Sequence, residues 1–170
     1  MGSGKRKTAL EAAALFLTVV FAATAERKAH AALSPEESRS LVEGRQAHMR
    51  EHAVALYNLQ RILKSGEPNW AEALIYAQQF LANSRDMASW FATGTGPSSG
   101  AATAAQSDIW RQPEKFRRNR EALVGETEKL LAAVRARDLA AAKRQHNATL
   151  EVCDTCHAQF RAQHRVEALP

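Results

Sequence analysis

Apolar side chains recur at three- and four-residue steps along most of this chain, and that helical period constrains its fold more than any other feature. Composition points the same way, because alanine supplies 34 of the 170 residues, valine and isoleucine together only 11, and glycine and proline together 13. Alanine favours helices, whereas β-branched residues favour strands. The chain is therefore predicted to be all-α, and its length suits a single domain with its own core.

A long first helix is predicted to begin at Pro35. Ser34 is a typical N-cap, proline fits the first helical position, and Glu37 completes a capping box. A Ser-Gly pair ends the helix thirty residues later. Arg45 and His52 lie on its apolar stripe, so something other than aliphatic packing is expected beside them. The apolar members of the stripe are Val42, Met49, Leu56, Leu59 and Leu63.

Three more helices follow the first. Asn69 begins the second, Pro113 the third and Asp138 the fourth, which is predicted to continue past Arg161. Residues 92–107 are rich in Gly, Ser, Thr and Pro, have no stripe, and are predicted to form the one long loop. Four amphipathic helices with mostly short connections predict an antiparallel four-helix bundle over residues 32–170. The expected inward residues are Trp70, Leu74, Ala77 and Leu81 in the second helix and Phe116, Leu123, Leu130 and Val134 in the third.

The N-terminus has the features of a secretory signal peptide. A basic cluster at residues 5–7 precedes an almost wholly apolar run at residues 12–25, which ends in small side chains. The run is too short to span a bilayer easily, so the sequence predicts cleavage of residues 1–25, export to the periplasm and no stable membrane span. A second small-residue site would place the cut after Ala31.

Part of the basic balance of the chain belongs to this leader. The formal charge is +5, and removal of residues 1–25 leaves 20 Lys and Arg against 17 Asp and Glu, or +3. No basic block interleaved with aromatic residues follows the leader. Nucleic acid is therefore not expected as a partner.

The one strong chemical signal is CDTCH at residues 153–157, a C-x-x-C-H motif that contains the only two cysteines of the chain. This motif attaches a c-type haem, since Cys153 and Cys156 share one helical face and can add to the two vinyl groups while His157 reaches the iron. A disulfide would be strained inside a helix, a thioredoxin-like pair needs a β-α-β unit, and zinc needs a second ligand pair. One covalently attached haem c per chain is predicted.

The chain resembles the class II cytochromes c, the group of cytochrome c′ and cytochrome c-556, in more than the haem motif. That motif lies on the last helix of an all-helical exported chain, and residues 44–49 (GRQAHM) are similar to the family's R-Q-x-x-M segment. Residues 108–110 (DIW) with Phe116 resemble its entry to the third helix, and residues 157–161 (HAQFR) resemble its H-x-x-aromatic-R ending. The likeness covers residues 34–161.

The resemblance implies two functions that differ in the sixth position on the iron. If Met49 coordinates opposite His157, the protein is an electron carrier with a redox partner protein, and we expect this first. If no side chain coordinates, it is a five-coordinate cytochrome c′ that binds nitric oxide or carbon monoxide. His52 is a competing ligand, although a place beside the iron or at the surface is favoured. A haem-free binding module is the third alternative, and no catalytic turnover is expected because the sequence offers no acid-base pair.

The remaining side chains are assigned around the haem. Arg45 lies one turn before Met49 and is predicted to pair with a propionate, and Arg161 lies one turn after His157 and is predicted to shield the proximal face. A solvated surface position is the alternative for both arginines. Trp110 is expected to pack on the haem edge or in the core.

Expectations also follow for several further side chains. Phe116, like Trp110, is expected to pack on the haem edge or in the core, and Met87 is expected in the core beside the long loop. Three histidines, His48, His146 and His164, are expected at exposed or edge positions. The resemblance also implies a homodimer that forms through the first two helices.

Overall fold

The computed structural model describes residues 32–162, and these form a bundle of four long helices. The long helices are α1 (Pro35–Lys64), α2 (Trp70–Asp86), α4 (Pro113–Arg135) and α5 (Leu139–Phe160), and α3 (Asp108–Arg111) is a single turn before α4. Two 3-10 turns, Met87–Trp90 and Pro97–Ser99, precede α3. The predicted all-α antiparallel bundle is confirmed. The predicted signal peptide and His164 lie outside the described residues.

Side-chain caps fix the starts of three long helices where the sequence predicts them. Ser34 and Glu37 exchange hydrogen bonds, with the Ser34 N–H donating to Glu37 Oε2 over 2.7 Å and the Glu37 N–H donating to Ser34 Oγ over 3.2 Å. Asn69 accepts from the Glu72 N–H at the start of α2, and Asp138 accepts from the Ala141 N–H at the start of α5. These contacts satisfy N–H groups that a helix leaves without an internal partner.

One end of the bundle, here called the closed end, is packed with small and aliphatic side chains from all four long helices. Leu59 and Leu130 are fully buried at its centre, and Trp70 and Leu74 pack against it while partly exposed. This end supplies the conventional hydrophobic core that holds the helices together. Its buried members are Leu59, Ile62, Leu63, Ala73, Ala77, Leu81, Leu130, Leu131, Ala133, Val134 and Ala142.

The other end, here called the cavity end, carries two smaller apolar clusters, and Phe91 packs against both of them. Phe80, Met87 and Trp90 belong to one, which confirms the predicted burial of Met87, and Phe116 and Phe160 belong to the other. The ring of Phe116 packs edge-on against Phe160, with 5.3 Å between ring centroids. These clusters lie beside the cavity after which this end is named.

The prediction that the last helix continues past Arg161 is wrong. Helix α5 ends at Phe160, and Arg161 has an extended backbone with φ −111° and ψ 128°. Main-chain hydrogen bonds to the long loop replace helical ones here, because the Gln106 N–H donates to Phe160 O over 2.8 Å and the Ala162 N–H donates to Ala104 O over 2.7 Å. Pairing with the loop requires an extended chain, so the helix stops.

No helix between residues 32 and 162 combines the length and the apolar character that crossing a membrane requires.

Candidate haem site

A cavity of about 1100 Å³ opens between the helices at the cavity end. Its walls come from α1, α4, α5 and the segment 102–105 of the long loop. This volume lies slightly above the range of roughly 300–1,000 Å³ that is usual for small-molecule sites, so the cavity suits a large planar cofactor. The cavity is therefore the natural place for the predicted haem.

The three residues of the C-x-x-C-H motif line the α5 wall of the cavity together. Cys153 and Cys156 are free thiols, and burial is the main cause that raises the pKa of each to about 11. Burial, followed by the positive charge of Arg161, lowers the pKa of His157. The imidazole of His157 is thus held neutral, which is the form that binds a metal.

Met49 lies half-buried on the α1 wall of the same cavity. The structure therefore brings Met49 and His157 to one site from two different helices. Ala53 and Leu56 follow Met49 along that wall at helical spacing and make it apolar. A thioether among apolar neighbours either coordinates iron or only fills space, and ligation by Met49 stays a prediction.

His52 also lines the cavity and is deeply buried, with 6% of its surface exposed. Its Nε2 atom is shielded from solvent and has no hydrogen-bond partner. The ring packs against Phe80, with centroids 4.5 Å apart, and against Trp90, with centroids 5.3 Å apart. Burial lowers the pKa of His52 to about 4, so this imidazole is neutral at physiological pH.

Arg45 is 4% exposed and braces the long loop rather than facing solvent. Its two terminal nitrogens donate to Trp90 O, to Thr95 Oγ1 and O, and to Thr103 Oγ1 over 2.8–3.3 Å. The guanidinium carbon also lies 4.9 Å from the centroid of the Phe91 ring. These four bonds use both terminal nitrogens, so the Nε–H is the remaining donor that Arg45 can offer to a propionate. The pairing of Arg45 with a propionate stays a prediction.

Arg161 lines the mouth of the cavity with an exposed side chain. Arg45, Arg50 and Arg120 line the cavity as well. The one carboxylate among the lining residues that the structure describes is that of Asp154. An excess of positive side chains favours the binding of a dianionic cofactor edge such as the two propionates of haem. The assignment of Arg161 to the haem environment stays a prediction that this position supports.

Trp110 is not among the residues that line the cavity, and of its two expected places, the haem edge and the core, contact with the haem stays a prediction. Its indole N–H donates to the carbonyls of Phe91 and Ala92 over 3.1 and 3.2 Å. Its ring also covers Gly96 so closely that a Cβ there would approach Trp110 Cζ3 to 2.9 Å. The need of a buried indole for an acceptor turns Trp110 towards the loop backbone. Trp110 thus supports the wall from behind, while Phe116 lines the cavity itself.

The prediction that His146 lies at an exposed or edge position is wrong. His146 is 4% exposed, lines the cavity, and its Nε2 lies 3.0 Å from Leu56 O, to which it donates. A buried stripe on α5 explains this, because Ala142, His146, Thr149 and Cys153 follow one another at four- and three-residue steps. His48 is half-exposed, as expected, and its ring stacks on Trp90.

Arg120 is a site residue that sequence reasoning missed. It lines the cavity one turn after Phe116, lies over the ring of that phenylalanine at 5.6 Å, and its buried Nε has no partner. The sequence feature that indicates this role is the position of Arg120 on the apolar stripe of α4, one turn beyond the inward-facing Phe116. Arg120 is therefore a further candidate to hold a carboxylate of the cofactor.

Four long helices around a cavity, with C-x-x-C-H on the last of them, define a class II c-type cytochrome. The family model of cytochrome c′ matches residues 40–161. This chain belongs to the cytochrome c′ family, which confirms the resemblance seen in the sequence. That family binds covalently attached haem c, so the predicted cofactor is confirmed too.

Solved structures of cytochromes c′ share the fold of this chain. One, described as having an unusual ligand-controlled dimer dissociation, is 22% identical, with a TM-score of 0.68 over 77% of this chain and 98% of that chain. The cytochrome c′ of Thermochromatium tepidum is 24% identical, with a TM-score of 0.66 over 78% of this chain and 100% of that one. A ferrous variant from Alcaligenes xylosoxidans with bound NO is 21% identical, with a TM-score of 0.66 over 76% and 97%. No curated protein matches this chain.

The residues present fit a covalently attached haem on chemical grounds. Two thiols and a neutral imidazole share one wall, and arginines outnumber carboxylates around the cavity. Two buried nitrogens of residues that line it, His52 Nε2 and Arg120 Nε, have no partner among residues 32–162. Buried polar atoms are nearly always paired, so these two are suited to polar groups of a bound molecule.

Proposed function

We propose that this protein is a c-type cytochrome that binds a diatomic gas, nitric oxide or carbon monoxide, and that it acts as a gas-binding protein and not as an enzyme. The observation that carries the proposal is the apolar strip of Met49, Ala53 and Leu56 on the α1 wall of the cavity whose α5 wall carries the C-x-x-C-H motif. An apolar pocket with steric access to the iron favours small neutral ligands over water and ions. The likeness of the fold to a cytochrome c′ with bound NO supports the same assignment.

In this proposal the motif residues hold the cofactor. Cys153 and Cys156 form the two thioether bonds, and His157 is the proximal ligand of the iron. When bound, the haem supplies an iron with one open position that a gas molecule can take. Arg45 and Arg161 contribute positive charge near the propionates, and Arg45 also fixes the loop that closes the site.

A second candidate function is electron transfer with Met49 as the sixth ligand. The half-buried position of Met49 on the cavity wall favours it, since a thioether can coordinate haem iron and raises its reduction potential. A redox partner protein would then exchange electrons through the haem. The two candidates differ in one bond, which makes them separable by spectroscopy.

The ferrous absorption spectrum, recorded with and without carbon monoxide, tests the proposal. A broad envelope that changes when carbon monoxide is added is expected for the gas binder. A sharp α band that carbon monoxide leaves unchanged contradicts gas binding and favours the electron carrier. In that case Met49→Leu should turn the low-spin spectrum high-spin, and a spectrum that stays low-spin points to another ligand.

We also propose that residues 1–25 are a signal peptide that directs the chain to the periplasm, with a second cleavage site after Ala31. The basic cluster, the apolar run and the small residues at its end support this. N-terminal sequencing of the mature protein after expression in an export-competent host tests it. Glu26 or Ala32 is expected as the first residue, and an intact leader on the haem-loaded protein contradicts it.

We further propose that two copies of the chain pair through α1 and α2. Val54 and Ile75 lie on these helices with 56% and 62% of their surfaces exposed, and large exposed apolar side chains mark interfaces. The similar cytochrome c′ with ligand-controlled dimer dissociation supports a second copy as the occupant. Sedimentation should give a dimer for the parent protein and a monomer for Ile75→Glu. A monomeric parent protein contradicts the proposal.

A further inference from the structure

The buried imidazole of His52 has no part in the attachment of haem. Only 6% of its surface is exposed, and its Nε2 atom has neither solvent nor a protein partner. His146 lines the same cavity, but its Nε2 already donates to Leu56 O at 3.0 Å. A buried polar atom without a partner destabilises a fold, so a group that binds in the cavity is the expected partner of His52.

Two aromatic rings hold the His52 ring at one edge of the cavity. Phe80 of α2 lies 4.5 Å from it and Trp90 lies 5.3 Å from it, measured between ring centroids. Neither of these two rings lines the cavity, whereas His52 does. The imidazole is therefore the polar boundary between an aromatic cluster and the space beside the haem.

His52 lies next to Met49 on α1, but it does not occupy the position that Met49 occupies on the cavity wall. Three residues along a helix correspond to a rotation of about 60° once the full turn is subtracted. The residues of α1 that line the cavity run from Arg45 to Gln60, and Met49 and Leu56 lie nearer the middle of that face than His52 does. His52 is thus displaced to the side of the position from which α1 would coordinate iron.

His52 has the protonation state that a hydrogen-bond donor to a neutral gas requires. Burial lowers its pKa to about 4, so the ring carries a single N–H at physiological pH. Nε2 is the ring nitrogen farther from the main chain, and an N–H at Nε2 reaches farther towards a ligand than one at Nδ1.

We infer that His52 donates a hydrogen bond from Nε2 to a diatomic ligand that is bound on the distal face of the haem. The inference rests on the proposed gas binding and deepens it, because it places one hydrogen-bond donor beside the apolar strip of Met49, Ala53 and Leu56. Such a bond stabilises the bound gas and draws electron density onto its outer atom. His52 is in this sense a ligand-stabilising residue.

The C–O stretching vibration of the ferrous carbon monoxide complex tests the inference. A donor near the outer oxygen weakens the C–O bond, so His52→Leu is expected to shift the band to higher frequency. Carbon monoxide should also dissociate roughly two- to tenfold faster, as expected for the loss of one hydrogen bond. His52→Gln, which keeps an N–H donor, should shift the band less than His52→Leu does.

The matched control is His48→Leu, the same substitution one turn earlier on α1 at a half-exposed histidine that does not line the cavity. Its C–O band should equal that of the parent protein. An equal band in His52→Leu, with carbon monoxide bound, overturns the inference and leaves gas binding intact. A parent protein whose ferrous haem takes up no carbon monoxide overturns the proposed function and the inference with it.

Discussion

The two ends of the bundle are built from the same helices but differ in what their buried faces carry. At the closed end α1 contributes Leu59, Ile62 and Leu63, and the space between the helices is filled by side chains. At the cavity end the same helix contributes Arg45 and His52, which are equally buried but polar. Polar residues on the buried stripe of a helix therefore indicate the end of the bundle that is shaped around a ligand.

The largest predicted effect removes the covalent link at the cavity end. Cys153→Ser combined with Cys156→Ser should abolish covalent haem entirely, because a hydroxyl does not replace the thiol in thioether formation. Acid-acetone extraction followed by absorption spectroscopy measures the haem left on the protein. Thr155→Ala, an exposed change inside the same motif, should retain all of it, and haem that resists extraction in the double variant would contradict the assignment.

The next prediction tests whether the closed end is purely structural. Leu59 is 0% exposed, so Leu59→Ala should lower the free energy of unfolding by about 2–5 kcal/mol through lost burial and a cavity. The haem spectrum of the folded protein should not change. Urea unfolding measures the first effect, and Leu41→Ala, the same substitution at an exposed position of α1, is the control. A changed spectrum would break the distinction between the two ends.

A third prediction concerns the loop that Arg45 braces. Arg45→Met keeps much of the side-chain volume but removes four hydrogen bonds, and we expect a loss of about 2–3 kcal/mol in the free energy of unfolding. The segment 92–103 should also be cleaved faster by proteases. Arg39→Met, on an exposed face of α1, should do neither. Unaltered proteolysis in Arg45→Met would refute the bracing role.

The smallest predicted effect tests the place of Trp110 behind the cavity wall. Trp110→Phe removes the indole donor to two loop carbonyls and should lower the free energy of unfolding by about 1 kcal/mol. The haem spectrum should stay that of the parent protein, since Trp110 does not line the cavity. Thermal unfolding and the absorption spectrum measure the two effects. A shift of the haem absorption bands in Trp110→Phe would place Trp110 in contact with the cofactor after all.

The elements with local signals were predictable from the sequence. Ser34, Asn69 and Asp138 cap helices through contacts three residues away, and the spacing of α1 identifies its buried face. The haem motif is equally local. These features depend on neighbours within one or two turns, which a single sequence contains.

Two of the features that the sequence did not predict, the partners of Arg45 and the end of α5, depend on the long loop, whose pairing has no periodic signal. The partners of Arg45 lie 45 to 58 positions away along the chain, and the end of α5 is set by pairing with residues 104–106. The burial of His146 is a different case, because its place on the stripe of α5 was visible. Histidine is often exposed, but at this position the helical spacing of α5 determines burial.

The central claim is that the cavity holds one haem bound through the C-x-x-C-H motif, and mass spectrometry of the mature protein tests it most directly. The intact mass should exceed that of the polypeptide by one haem, and a proteolytic peptide containing Cys153 and Cys156 should carry this addition. Protein matured in a host with haem-attachment machinery that shows only the mass of the bare polypeptide would contradict covalent haem attachment.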